Sequence, residues 1–180
     1  SGSMSGQPLD TVKASLRQVA SQMTGRDQLS IVLYGDRSHV HLAPTSLRER
    51  ERVLRAIDAI QSAGSTAMEE GLRVGFDTAF RSKPGFSGTT RVMLFTDERP
   101  NVGATDKDSF MGMAREASRR GVGMTTVGVG VQFGAELATA IGSVRGGNLV
   151  FFGDVPEMTQ RFTRDFDTFV TELAYDMHLT

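Results

Sequence analysis

Arg91-Val92-Met93-Leu94-Phe95-Thr96-Asp97 places four consecutive apolar side chains between an arginine and a hydroxyl–carboxylate pair. An apolar run this short and continuous predicts a strand covered on both faces, as strands of a parallel sheet are. The flanks agree. Pro84-Gly85 and Ser87-Gly88 form a loop before it, and a helix is expected after it from about Asp106 to Arg120, closed by Gly121. Further on, Met124 to Val129 predicts a strand, Gly134 to Ile141 a short helix, and Asn148 to Phe152 a last strand. A long final helix then presents Met158, Phe162, Phe166, Phe169, Val170 and Leu173.

Upstream of the run the same alternation holds. Met68, Leu72, Phe76 and Phe80 lie at helical spacing after Gly64-Ser65-Thr66. Leu9, Val12, Leu16, Val19 and Met23 mark one face of an earlier helix, with Pro8 in its first turn and Gly25 as its stop. Between these two, Leu29 to Tyr34 predicts a strand, and Ser38 to Leu42 alternates like a half-exposed edge strand, joined through a turn at Asp36-Arg37. A charged helix follows from Leu47 to about Gln61, with Leu54, Ile57 and Ile60 as its buried stripe. Repeated strand–helix units predict an α/β fold. It should be Rossmann-like, with an open, mostly parallel sheet, helices on both faces and one antiparallel edge strand at Ser38 to Leu42.

Composition narrows the function classes. The chain has 180 residues, enough to bury one full core, and a formal net charge of −1, which lacks the basic surplus of a nucleic-acid binder. No apolar run approaches the ~20 residues of a membrane span. With no cysteine, disulfides and thiolate chemistry are excluded.

Three segments carry candidate chemistry: Ser1-Gly2-Ser3-Met4, Gly64-Ser65-Thr66 and Thr96-Asp97. Each leads into an expected helix, and Thr96-Asp97 also ends a strand, where a doubly wound fold puts its ligands. Their donors are hydroxyls and one carboxylate, a set suited to a hard cation such as Mg²⁺ and unsuited to zinc or copper. Taken singly, each has a plainer use. Ser1-Gly2-Ser3 has the composition of a leader, Thr66 of a helix N-cap, and Asp97 of a turn cap.

Together and in this order the three resemble the metal-ion-dependent adhesion site of von Willebrand factor type A domains. That family's first motif is Asp-x-Ser-x-Ser, and Ser1 and Ser3 match its serines, followed in register by Gly6, Leu9 and Lys13. Thr66 matches the loop threonine and Asp97 the second aspartate. Ile31 to Tyr34 and Val127-Gly128-Val129-Gly130 are similar to family strands, and Tyr34-Gly35, Leu42-Ala43-Pro44-Thr45 and Asn101-Val102-Gly103 look most like bacterial members. Glu98 and Ser65 stand where relatives often have glycine.

The resemblance implies that Ser1, Ser3, Thr66 and Asp97 hold Mg²⁺, or Mn²⁺ or Ca²⁺, with one position left for a protein ligand's exposed Asp or Glu. It implies a binding module and not an enzyme, with no nucleic acid and no membrane insertion. A place outside the cytoplasm, within a longer multidomain chain, is preferred. The alternative is a cytoplasmic scaffold subunit of an ATPase-associated complex. The family's first strand and its aspartate would precede Ser1, so residues 1–175 are expected to be the domain lacking that strand. Residues 176–180 then begin a linker or a following module, and the metal is expected to be weakly held or absent without the aspartate.

Other patterns carry less. His39 and His41 share a strand face but suit an exposed edge. Gly2-Ser3-Met4-Ser5-Gly6 imitates a nucleophile elbow, yet its centre is Met4. Gly128-Val129-Gly130 lacks the spacing of a dinucleotide fingerprint.

Overall fold

The computed structural model describes residues 6–61, 67–96, 104–129, 140, 143–152, 156–157, 160–161 and 164–165. Among them, helix α1 (Gln7–Gln22) leads into an antiparallel pair, β1 (Gln28–Leu33) and β2 (His39–Ser46). Helices α2 (Arg50–Asp58) and α3 (Met68–Ser82) follow, then β3 (Thr90–Thr96), α4 (Ala104–Arg119), β4 (Val122–Val129) and β5 (Gly147–Phe152). β3, β4 and β5 form a parallel ladder in that order. Three parallel strands plus an antiparallel pair, layered with helices, match the architecture the sequence implies.

Side-chain parity sorts the two faces. Along β3, Val92 and Leu94 join Leu72 and Phe76 of α3 and Phe110, Met111 and Ala114 of α4, together with Val122 and Met124 of β4. On the opposite face, Met93 and Phe95 pack with Val127, Val150 and Phe152 against Val19 of α1 and Met23 just after it. Along β1, Leu29, Ile31 and Leu33 pack with Leu9, Leu16 and Ala20 of α1 and with Val53 and Ile57 of α2. Helix α1 therefore serves both ladders, and α3, which contacts β1, β2, β3 and β4, does the same on the other side. At about 1.5–3 kcal/mol for each fully buried aliphatic or aromatic side chain, these shared clusters dominate how the ladders are held together.

α1 ends where Gly25 predicts, and the orphan carbonyls of its last turn find a partner from α2. Arg50 donates from Nη1 to the Ala20 carbonyl at 2.6 Å and from Nη2 to the Met23 carbonyl at 2.8 Å. Lys13 donates to the Asp58 carbonyl, and Arg17 pairs with the Asp58 carboxylate.

Three sequence expectations need adjustment. β2 runs on to Ser46, past Leu42, because its register against β1 slips twice, Leu29 facing Thr45, Ile31 facing Leu42 and Val32 facing Val40. The extra residues bulge, and His41 turns its Nε2 to the Ala56 carbonyl at 2.8 Å while Val40 is exposed. The charged helix begins as a 3-10 turn over Leu47–Glu49 and stops at Asp58, and its fully buried positions are Val53 and Ile57, with Leu54 only half-covered. In β3 only Leu94 and Thr96 are buried, since its ladder pairs it along one edge. The helices expected at 134–141 and 158–173 fall largely outside the described residues; Pro156, Glu157, Gln160, Arg161, Arg164 and Asp165 are helical.

Candidate metal centre

Ser1, Ser3, Thr66 and Asp97 all lie outside the described residues; their nearest described neighbours in sequence are Gly6, Ala67 and Thr96. Asp97 follows Thr96, the last residue of β3, and Thr66 precedes Ala67, one residue before α3. Two hydrogen bonds tie these neighbours together. Tyr34, just past the end of β1, donates from its hydroxyl to the Phe95 carbonyl at 2.7 Å. The next carbonyl, that of Gly35, accepts from the Ala67 N–H at 3.3 Å. The ends of β1 and β3 and the entry to α3 thus meet at one end of the ladders.

The start of α1 is level with the same end. α1 has 16 residues and runs about 24 Å at 1.5 Å per residue, then turns through Thr24 to Asp27 into β1, which packs back against it over about 20 Å. Its first turn, and the Gly6 that precedes it with φ at 73°, therefore stand near where β1 finishes. That φ lies in the left-handed region, where a side chain is strained and glycine is not.

Polar groups of α3's first turn brace this end. The Glu69 carboxylate accepts from the Ser109 hydroxyl of α4 at 2.5 Å, and that of Glu70 accepts from the Ser38 N–H ahead of β2 at 3.3 Å. Both carboxylates sit at a helix N-terminus, where the backbone N–H groups favour negative charge. The candidate donors Ser1, Ser3, Thr66 and Asp97, three hydroxyls and one carboxylate, have the chemistry of a hard-cation site. Among the described residues no group of three or more His, Asp or Glu offers a competing one. His39 and His41 do neighbour each other, with ring centroids 6.4 Å apart, but His41 is engaged with backbone.

Residues 1–164 match the von Willebrand factor type A domain. The chain belongs to that family. An uncharacterized protein of Synechocystis, sll0103, is 27% identical over 166 residues, covering 92% of this chain and 39% of its own length. This chain thus spans about two-fifths of that relative. Among solved structures, a von Willebrand factor type A protein from Catenulispora acidiphila superposes with a TM-score of 0.71 at 16% identity, over 91% of this chain and 39% of that one. An aerotolerance-related membrane protein from Bacteroides fragilis gives 0.68 at 11% identity, over 92% of each chain. Manganese-loaded TRAP protein of Plasmodium vivax gives 0.60 at 18% identity, over 84% and 63%. These likenesses establish the fold.

Sequence reasoning missed the parts that bring the ends of β1 and β3 and the start of α3 together. Tyr34 and Gly35 stood out only as a family-like run, and Gly71 did not stand out at all. A signal was present: a tyrosine directly after the aliphatic Ile31-Val32-Leu33 implies a hydroxyl that needs a partner once its ring is buried.

Proposed function

We propose that this domain is a binding module in which Ser1, Ser3, Thr66 and Asp97 hold Mg²⁺, or Mn²⁺ in its place, and present it to an exposed Asp or Glu of a protein ligand. The observation that carries the proposal is the tie from Phe95 through Tyr34 and Gly35 to Ala67, which gathers the chain on either side of Asp97 and Thr66 at one end of the fold. Membership of the family and a manganese-loaded structural neighbour lend support. Bound there, the cation supplies residual positive charge that attracts an anionic oxygen. The serine and threonine hydroxyls orient it without neutralising it, and Asp97 anchors it.

The same proposal includes an aspartate-bearing strand ahead of Ser1, lying between β1 and β3. The two ladders share helices α1 and α3 yet have no ladder between them among the described residues, which is the arrangement such a strand would complete. No chemistry is turned over; the module binds. It works within a longer chain outside the cytoplasm, in keeping with the short share of its cyanobacterial relative that it spans and with a neighbour described as a membrane protein. No described helix is long and apolar enough to cross a membrane.

The test is substitution against chelation. In the full-length protein, Asp97→Ala and Thr66→Ala should abolish partner binding while the circular dichroism spectrum and melting temperature stay near wild type. Chelator should do the same to the unaltered protein. Partner binding that survives both treatments eliminates the bridging cation.

A further inference from the structure

We infer that the end of the molecule where β3, β4 and β5 begin, away from Thr96, is a docking surface for a short acidic segment of a partner protein. The segments that meet there are 80–91, 117–124 and 143–147. They carry Arg81, Lys83, Arg91, Arg119, Arg120 and Arg145 without an Asp or Glu. The net charge of −1 conceals this, because Asp36, Glu69, Glu70 and Asp108 gather with Arg37 toward the other end of the same elements. Charge segregated in this way sets local binding where the total does not.

Contacts place the cations side by side. Lys83 donates from Nζ to the carbonyls of Arg120 and Gly121, each at 2.7 Å, which joins the ends of α3 and α4. The Arg120 guanidinium is held 3.4 Å from the Phe80 ring centroid. Arg91 crosses the start of β4 at Gly123, where an added Cβ would stand 2.9 Å from its Cζ, and donates from Nη1 to the Gly146 carbonyl at 3.0 Å. Arg145 comes just before that carbonyl and is exposed, as are Arg81 and Arg119. One cationic strip therefore runs from the ends of α3 and α4 across the three strand starts. Opposing a helix dipole accounts for Arg81, Lys83, Arg119 and Arg120, but not for Arg91 and Arg145, which lie at strand starts.

The chemistry selects the occupant. Guanidinium forks match carboxylates two bonds at a time. Three strands and a helix layer span about 20 Å, the reach of about six extended residues. A longer polyanion would run on toward the acidic end. Among the described residues the exposed large apolar side chain is Val40, on β2, so this end lacks an exposed apolar group to enter a bilayer.

The experiment titrates fluorescein-labelled hexaglutamate into the full-length protein in EDTA. A divalent cation then contributes nothing, and failure here is separable from failure of the proposed metal site. Arg81→Glu combined with Arg145→Glu is compared with Arg52→Glu combined with Arg55→Glu on α2, which changes net charge equally. The expected result is binding that weakens as salt is added, falls about tenfold in the first double variant and changes less than about twofold in the second, with melting temperatures near wild type in both. Hexaglutamate that does not bind, or that is weakened equally by both double variants, overturns the inference. So does co-sedimentation with phosphatidylglycerol vesicles that the first double variant abolishes while hexaglutamate does not bind, which would assign this end to a lipid surface.

Discussion

Gly71→Ala separates two opposing effects by the sign of its outcome. In an exposed helix interior the change stabilises, since alanine is favoured over glycine by about 0.8–1 kcal/mol. At Gly71 the added methyl would stand 2.6 Å from the Tyr34 Cβ and 3.2 Å from its Cδ1. Carbon pairs are most favourable at about 3.5–4.0 Å, so the overlap approaches 1 Å. It falls at the root of the side chain, where rotating the ring gives no relief. Either α3 lifts from the ladders or Tyr34 swings and loses its bond to the Phe95 carbonyl. Overpacking costs about 1–3 kcal/mol and a lost hydrogen bond about 1 kcal/mol, which together outweigh the helix gain and leave a net loss of about 1–3 kcal/mol. Gly75, one turn further along α3, supplies the control. Its Cβ would meet only Val92 Cγ1, at 3.7 Å, an ordinary contact, so Gly75→Ala should raise stability by up to about 1 kcal/mol. Urea denaturation with unchanged slope measures both. If Gly71→Ala proves as stabilising as Gly75→Ala, the close packing of Tyr34 against α3 is refuted, and with it the account of how Ala67 is held.

Two further outcomes follow from the packing and from the proposed site. Arg50→Ala removes both bonds to the last turn of α1 and should cost about 2–3 kcal/mol, lowering the melting temperature by about 4–10 °C; a shift under about 1 °C would show that water replaces the guanidinium without loss. Mg²⁺ affinity by calorimetry should be low or undetectable for residues 1–180 alone, and clear once an aspartate-bearing strand is placed ahead of Ser1, because a missing carboxylate and a terminal ammonium both weaken cation binding. Equal affinity for the two forms would count against that strand's part in the site.

Strand and helix identity was legible wherever apolar spacing had one reading. Leu72 and Phe76 at helical spacing, and Val92 to Phe95 in unbroken sequence, could each satisfy only one period. Legibility failed where a long-range contact decides. The bulges of β2 depend on how its residues face β1, and the end of α2 depends on Ala59 and Ile60 turning back onto Arg55 and Ile57. Neither is a property of a window of sequence. For the site, the sequence offers Ser1, Ser3, Thr66 and Asp97 as candidates, and all four lie outside the described residues. The tie between the ends of β1 and β3 was not legible, because the bond from Tyr34 to Phe95 joins residues 61 apart, and nothing local marks which carbonyl a tyrosine hydroxyl will reach.

The arrangement also bears on why the proposed donors are mostly neutral. The two ladders keep a common geometry only if something fixes them to each other. α1 and α3 do this from opposite faces, and the Tyr34 hydroxyl ties the end of β1 to the Phe95 carbonyl of β3. With the scaffold fixed in this way, the cation is not needed to hold the loops together, so it need not be saturated with carboxylates to do so. In the proposed site, hydroxyls from Ser1, Ser3 and Thr66 would orient it while leaving most of its charge unneutralised, and that charge would draw an acidic group on a partner. A site in which the metal itself held the ladders in place would call for more carboxylates and would lose stability on chelation. The design argued here predicts the reverse. Chelator should leave the melting temperature of the full-length protein nearly unchanged while eliminating partner binding. A large loss of stability on metal removal would mean that the cation, and not Tyr34 with its two helices, is what joins the ladders.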